Sequence, residues 1–357
     1  MNHEPTFHGV PLSDLTKEER IKFEKHPLDI WERMEANARE QKFPEGGDVF
    51  RYKYHGLFYD PASATYMLRC RIAGGMLTAE QFEGLAALSA DFGDGHAAIT
   101  TRANFQMRAF HARHALDVIT KLDELGLSSK GSGADNIRNI TCSPTCGIDT
   151  QEMIDVRPYV RALHHRILND RSLYDLPRKF NIAFDSGGSV SALADTNDIG
   201  FYPIKVETHT TTPTGDIPPG FYFRALVGGL TGRRAFGNDL GLWIPPIHVV
   251  DAAVAIAQVF QESGCRTNRR RARLKDLIDE WGLEKFAKEV RGRMPVGIPY
   301  EPFPWFHCEA RTDTRAHIGI HPQKQVGLYY AGIAIPAGRM TAASIRELAR
   351  LARDYGS

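Results

Sequence analysis

Four cations and two thiols are the residues of this sequence best suited to chemistry. Arg71, Arg102, Arg138 and Lys179 each lie beside glycine, proline or asparagine rather than within a charged helix face. For any one of them a solvated surface position is the default. Fixed cations converging on one pocket would instead bind a polyanion, or a small oxyanion whose charge grows during reaction. Cys142 and Cys146 share a loop with Arg138 and have three residues between them. Two thiolates are half of a tetrahedral metal site, and an iron–sulfur cluster generally uses four. Cys70, Cys265 and Cys308 show no paired spacing. The pair therefore reads either as structural or as half a metal site.

Other candidates are weaker. The run Arg266-Thr-Asn-Arg-Arg-Arg-Ala-Arg273 is either a solvated face or a clamp for carboxylates or phosphates. It lacks the interleaved aromatic residues of a nucleic-acid surface. Gly228-Gly-Leu-Thr-Gly232 does not have the spacing of a nucleotide loop. His164 and His165 are neighbours on a predicted helix and face different ways, which argues against a metal pair.

The elements that must hold these residues follow from pattern. Residues 11–45 read as a polar helical arm broken at Pro27. Residues 65–72 alternate, with Leu68, Cys70 and Ile72 on one face and Arg69 and Arg71 on the other, as in a half-buried strand with a cationic face. Thr78 caps a helix with Phe82, Leu85, Leu88 and Phe92 on its apolar side. A strand over 97–107 and a helix ending at Gly126 complete a strand–helix–strand–helix order, which indicates a ferredoxin-like half. A helix is predicted over 151–169. Segments 179–185 and 190–195 read as a hairpin around Ser186-Gly-Gly-Ser189. Strands over 201–206 and 221–227 flank a polar loop at 208–219, and helices follow at 248–263, 269–281 and 283–293. The proline-rich stretch 295–304 reads as a domain boundary.

An internal repeat ties the two ends together. Residues 75–93 align with 338–356 at a constant offset of 263, matching Gly, Thr, Ala, Leu and Asp positions. Residues 328–335 then correspond to the strand at 65–72. The second copy stops where the first continues, so the sequence predicts a fragment, or a chain that needs a partner, with a last helix whose apolar face is poorly buried.

Bulk properties bound the rest. The 357 residues allow two or three domains. A net charge of +1 gives no global pull toward nucleic acid or acidic membranes. The N-terminus lacks a signal-peptide pattern, and no apolar run is long enough to span a bilayer. Five scattered cysteines fit a reducing cytosol better than a disulfide framework, so a cytoplasmic location is expected.

Five motifs, in order, carry a resemblance: Met67-Leu-Arg-Cys-Arg-Ile-Ala-Gly-Gly75, Thr100-Thr-Arg-Ala-Asn-Phe-Gln106, Asn136-Ile-Arg-Asn-Ile-Thr141, Leu176-Pro-Arg-Lys-Phe-Asn181 and His321-Pro-Gln-Lys-Gln325. From about residue 50 to its end the sequence resembles the siroheme-dependent nitrite and sulfite reductases. The resemblance implies an α+β fold: ferredoxin-like half-domains plus a larger siroheme-reductase α+β domain, with the second half truncated. On that reading residues 1–54 are the arm, 55–130 a ferredoxin-like half-domain, 131–299 the siroheme-side domain and 300–357 the start of the second half.

It implies siroheme and a 4Fe-4S cluster as cofactors and ferredoxin, or a similar donor, as partner. Arg71, Arg138 and Lys179 would bind the oxyanion and supply protons. Asn181 stands where sulfite reductases of this group tend to carry a second lysine, which favours nitrite over sulfite. Arg102, Asn104, Gln106, Arg269, Arg270, Gln323 and Lys324 would contact siroheme. The family's cluster cysteines fall in the second half, beyond residue 357. Sulfite reduction and a non-catalytic tetrapyrrole carrier are the alternatives.

Overall fold

The computed structural model describes residues 4–294, 297–302 and 317–356. The chain forms two compact units, Met1–Asn139 with Ile335–Ser357, and Ile140–Ala334.

In the first unit the arm is helical only in pieces, Lys17–Glu24 and Trp31–Arg39, preceded by a small hairpin pairing Thr6 with Pro11. Pro27 lies in the gap between the two helices, as its missing N–H requires. A hairpin of Leu57–Asp60 and Thr65–Arg69 then enters a five-stranded antiparallel sheet. Leu68, Cys70 and Ile72 are buried as the alternation demands. Arg71 departs from it. The strand ends at Arg69, and Arg71 bridges Ser128 with only 1% of its surface exposed, so it lies in the interior rather than on a cationic outer face. The helix Ala79–Phe92 begins on a capping box between Thr78 and Gln81 and buries Leu85 and Leu88.

The predicted strand over 97–107 is two strands, His96–Thr100 and Asn104–Phe110, paired antiparallel. Arg102 therefore sits in the turn between them, beside Ala103 in a left-handed conformation at φ 45°. The repeat also resolves differently. Arg339–Thr341 adds to the edge of this sheet against His96–Ala98, and the helix Ala342–Tyr355 packs beside Ala79–Phe92, burying Ala342, Ile345 and Ala349. Sequence separation hid this, because the two copies pair with each other rather than each needing its own next strand. The expected strand over 328–335 is instead Tyr329–Gly332, paired with Gly319–Pro322 in a separate hairpin of the second unit.

The second unit holds a mixed five-stranded sheet in the order Asn238–Asp239, Gly220–Val227, Ile199–Val206, Ile182–Phe184, Thr141–Cys142. The last two contacts are parallel. The predicted hairpin around Ser186–Ser189 is thus absent. Ile182–Phe184 pairs with Ile199–Val206 and Thr141–Cys142, and no strand forms at 190–195. The side chains of Asp149 and Asp185 hold this loop, accepting bonds from the Ser189, Gly187 and Ala192 amides and the Ser191 hydroxyl. Phe184, Phe201 and Phe223 form an aromatic core, with the first two rings stacked at 4.7 Å. Helix Arg157–Asn169 starts six residues later than predicted, with Pro158 in its first turn. The basic run is a short 3-10 turn, Arg269–Arg271, before helix Leu274–Trp281. Part of the 295–304 boundary lies outside the described residues.

Candidate functional site

The first unit gathers guanidinium groups around Arg138. Its segment is fixed by small polar residues: Asn136 Nδ2 donates to the Gly133 carbonyl at 2.7 Å, and Asn139 Nδ2 donates to the carbonyls of Arg102 and Ala103 at 3.0 and 2.9 Å. The second interaction joins the loop to the 100–104 turn. Arg138 donates from Nη1 to Ser132 O at 3.0 Å and from Nη2 to Ala134 O at 2.6 Å. Its Nε is buried with no hydrogen-bond partner. Burial, then the nearby charge of Arg69, pulls its pKa well below the usual guanidinium range, to about 9, with Arg102 adding to the depression and Asp135 opposing it. Arginine keeps its proton at neutral pH, so the depression describes a buried positive charge that lacks enough negative charge nearby.

Arg69 shares the Ser132 carbonyl at 3.5 Å and lies 4.4 Å over the Phe58 ring. It pairs in register with Gln106 on the neighbouring strand. Arg71 donates from Nη1 to Ile137 O at 2.6 Å. The structure thus brings Arg71, Arg102 and Arg138 to one loop system, with Gln106 beside Arg69. Sequence reasoning missed Arg69 and Asn139 as site residues. Arg69 was detectable, because it shares a strand face with Arg71 two residues on. Asn139 was not, since its partners are carbonyls about thirty-six residues away. Asn104 is committed elsewhere: Nδ2 donates to Cys70 O at 2.5 Å and Oδ1 accepts from the Phe105 amide.

In the second unit Lys179 is exposed. Asn181 is fixed through its backbone: its N–H donates to Asp198 Oδ2 at 2.8 Å and its carbonyl accepts from Ile199 N. Asp198, 1% exposed, also accepts from Arg273 Nη2 on both carboxylate oxygens, at 2.9 and 2.8 Å. Arg266 is buried and pairs with Asp175. Two members of the basic run are therefore internal. Arg269 reaches the Pro177 carbonyl at 3.5 Å, and Arg270 is exposed. Gln323 closes the hairpin turn on the carbonyls of Leu328 and Tyr329. The Lys324 ammonium pairs with the buried carboxylate of Glu152, so it is already engaged.

The comparisons with known proteins decide the family. Residues 133–297 match the description "Nitrite and sulphite reductase 4Fe-4S domain". Residues 60–125 and 321–357 match "Nitrite/Sulfite reductase ferredoxin-like half domain". The chain belongs to the nitrite and sulfite reductase family.

A ferredoxin–nitrite reductase of Leptolyngbya laminosa is 38% identical over 96% of this chain, which covers 66% of that protein. One from Synechococcus elongatus is 35% identical over the same shares of both. The solved structure of the Mycobacterium tuberculosis NirA protein matches 96% of the chain and 64% of its own, with a TM-score of 0.80 at 26% identity. The chain thus spans just under two thirds of the length of these relatives.

Membership in the nitrite and sulfite reductase family implies siroheme and an iron–sulfur cluster. Siroheme is rich in carboxylates, to which Arg69 and Arg102 are chemically suited, while Arg138, undercompensated and with its buried Nε unbonded, is suited to a smaller anion. A cluster does not fit the described residues. Among them no three His, Cys, Asp or Glu side chains gather as metal ligands. Cys70 lies in the first unit's hydrophobic core, while Cys142 and Cys146 are a pair of reduced thiols. Cys308 falls outside the described residues.

Proposed function

We propose that the chain serves the siroheme-dependent reduction of nitrite to ammonium, with ferredoxin as electron donor, in the cytoplasm. The observation that carries this reading is the buried, undercompensated charge of Arg138 beside Arg69 and Arg102. Its support from likeness is that relatives aligned over 96% of the chain bear the name ferredoxin–nitrite reductase.

In this reading Arg71 and Arg138 attract the oxyanion and stabilise negative charge as oxygen is lost from it. Their fixation by the Ile137, Ser132 and Ala134 carbonyls sets their orientation in advance. Lys179 is the proton-bearing side chain, exposed at the end of the 176–179 loop. Asn181 favours the singly charged nitrite, because a neutral amide adds no cation for a sulfite dianion. Arg102, Gln106, Arg269, Arg270 and Gln323 hold siroheme polar groups, whereas Asn104 and Lys324 act through Cys70 O and Glu152. Siroheme, when bound, supplies the redox-active iron, and the protein supplies charge and orientation.

The test is Arg138→Ala in a complete enzyme that includes the cluster ligands, produced with a siroheme supply. Nitrite consumption with a reduced viologen donor should fall far more than siroheme content does. Unchanged turnover would remove Arg138 from the reaction. A complete wild-type enzyme that binds siroheme but never consumes nitrite would support a carrier instead.

A further inference from the structure

The Cys142–Cys146 pair takes no part in the proposed chemistry, yet the second unit builds a specific setting for it. Cys142 ends the strand Thr141–Cys142, which pairs in parallel with Ile182–Phe184. The chain then turns at once: the Cys146 N–H donates to Ser143 O at 3.1 Å, and Ser143 Oγ accepts from the Ser186 amide at 3.0 Å, which anchors the turn to the neighbouring loop. Only Pro144 is exposed in this turn. The result is that the two thiols share a hydrogen bond and are 8% and 7% exposed. Cys146 Sγ also lies 3.5 Å from Asp155 Oδ1, and the Arg157 guanidinium, paired with Asp155, packs against Gly147. No third metal donor joins them among the described residues.

We propose that Cys142 and Cys146 are a reversible dithiol–disulfide site, oxidised by small-molecule disulfides such as oxidised glutathione. One cysteine thiolate attacks a sulfur of the external disulfide and releases one small thiolate. The second cysteine, as thiolate, then displaces the bound half and forms the Cys142–Cys146 bond. The protein pair loses two electrons and two protons. The external disulfide gains both and becomes two thiols. Two thiols that bond to each other within one anchored turn favour an internal bond over a lasting mixed disulfide.

The bond with Cys142, then burial, pushes the Cys146 thiol upward, so thiolate is scarce at neutral pH. Oxidation is therefore slow at neutral pH and quickens as pH rises. Its effect is local but not isolated. The residues just after the pair carry the hairpin segment 323–325: Gly147 O accepts from Gln325 Nε2 and Ile148 O accepts from the Lys324 amide, both at 2.9 Å. Closing the pair stiffens this floor.

The experiment incubates the full chain with oxidised glutathione, unfolds it, alkylates free thiols with N-ethylmaleimide and maps the peptides by mass. The expected result is a peptide holding residues 142–146 that has lost two hydrogens and takes no label. Dithiothreitol should restore two labels, and Cys70 should stay labelled throughout. Full labelling of both cysteines after oxidation would overturn the proposal, as would separate glutathione adducts on each. In Cys142→Ser, Cys146 should instead be trapped as a glutathione adduct; should that variant not fold, the wild-type map decides alone. Hydrogen exchange at the Lys324 amide should slow in the oxidised chain, and an unchanged rate would refute the link to the hairpin.

Discussion

Arg138→Met tests whether the guanidinium cluster is an anion site or merely structure. The fall in pKa to about 9 corresponds to about 5 kcal/mol of penalty on the charged form. Methionine removes that penalty and fills much of the same volume. It also removes two hydrogen bonds, to Ser132 O and Ala134 O, each contributing about 1.5–2 kcal/mol from a charged donor. The variant should therefore be more stable than the wild type by about 1–2 kcal/mol at neutral pH and low salt. The sign of the pH dependence is fixed by linkage. The unfolded arginine holds its proton to higher pH than the folded one, so wild-type stability rises as pH climbs above about 9 and the variant's advantage shrinks there.

An anion should cancel most of this difference. Citrate, a polycarboxylate probe, at ten times its dissociation constant stabilises the wild type by about 1.4 kcal/mol through mass action and should do little for Arg138→Met. The assay is urea unfolding with and without citrate, read by hydrogen exchange at the amides of Thr65–Arg69, which belong to the same unit. A variant less stable than the wild type, with an unchanged response to citrate, would show that the charge is already compensated and would refute the reasoning.

Three further outcomes are expected. Asn181→Lys should shift the ratio of nitrite to sulfite turnover toward sulfite in the siroheme-loaded enzyme; equal relative rates before and after would remove Asn181 from substrate choice. Asp198→Ala strands Arg273 and frees the Asn181 amide, so it should lower stability by about 3–5 kcal/mol in urea titrations; a loss well below that range would mean the pair is dispensable. Thr78→Ala breaks the capping box of Ala79–Phe92 and should cost about 1 kcal/mol, measured as a lower unfolding midpoint.

Much of the first unit was legible in the sequence because its signals are local. The Thr78 cap, the spacing of Leu85 and Leu88, and the alternation of Leu68, Cys70 and Ile72 each act within a few residues, and all three stand in the structure. The errors arose where partners are distant. Segment 190–195 resembled half a hairpin, but Asp149, some forty residues earlier, and Asp185 hold that region as a loop. Arg71 alternated correctly yet is buried, because the strand stops at Arg69 and the chain bends inward to meet Ser128.

The sequence by itself determined which residues could do chemistry, the family they resemble and the repeat that links 75–93 to 338–356. These are matters of residue type and order. Only the tertiary structure decided what each charge faces. It separated Arg273 and Arg266, which are neutralised inside the second unit, from Arg138, which is not neutralised inside the first. It also turned Cys142 and Cys146 from half a metal site into two touching thiols, and paired the last helix with its own repeat. Burial and counter-charge depend on groups brought together across long stretches of chain, and no local pattern records them.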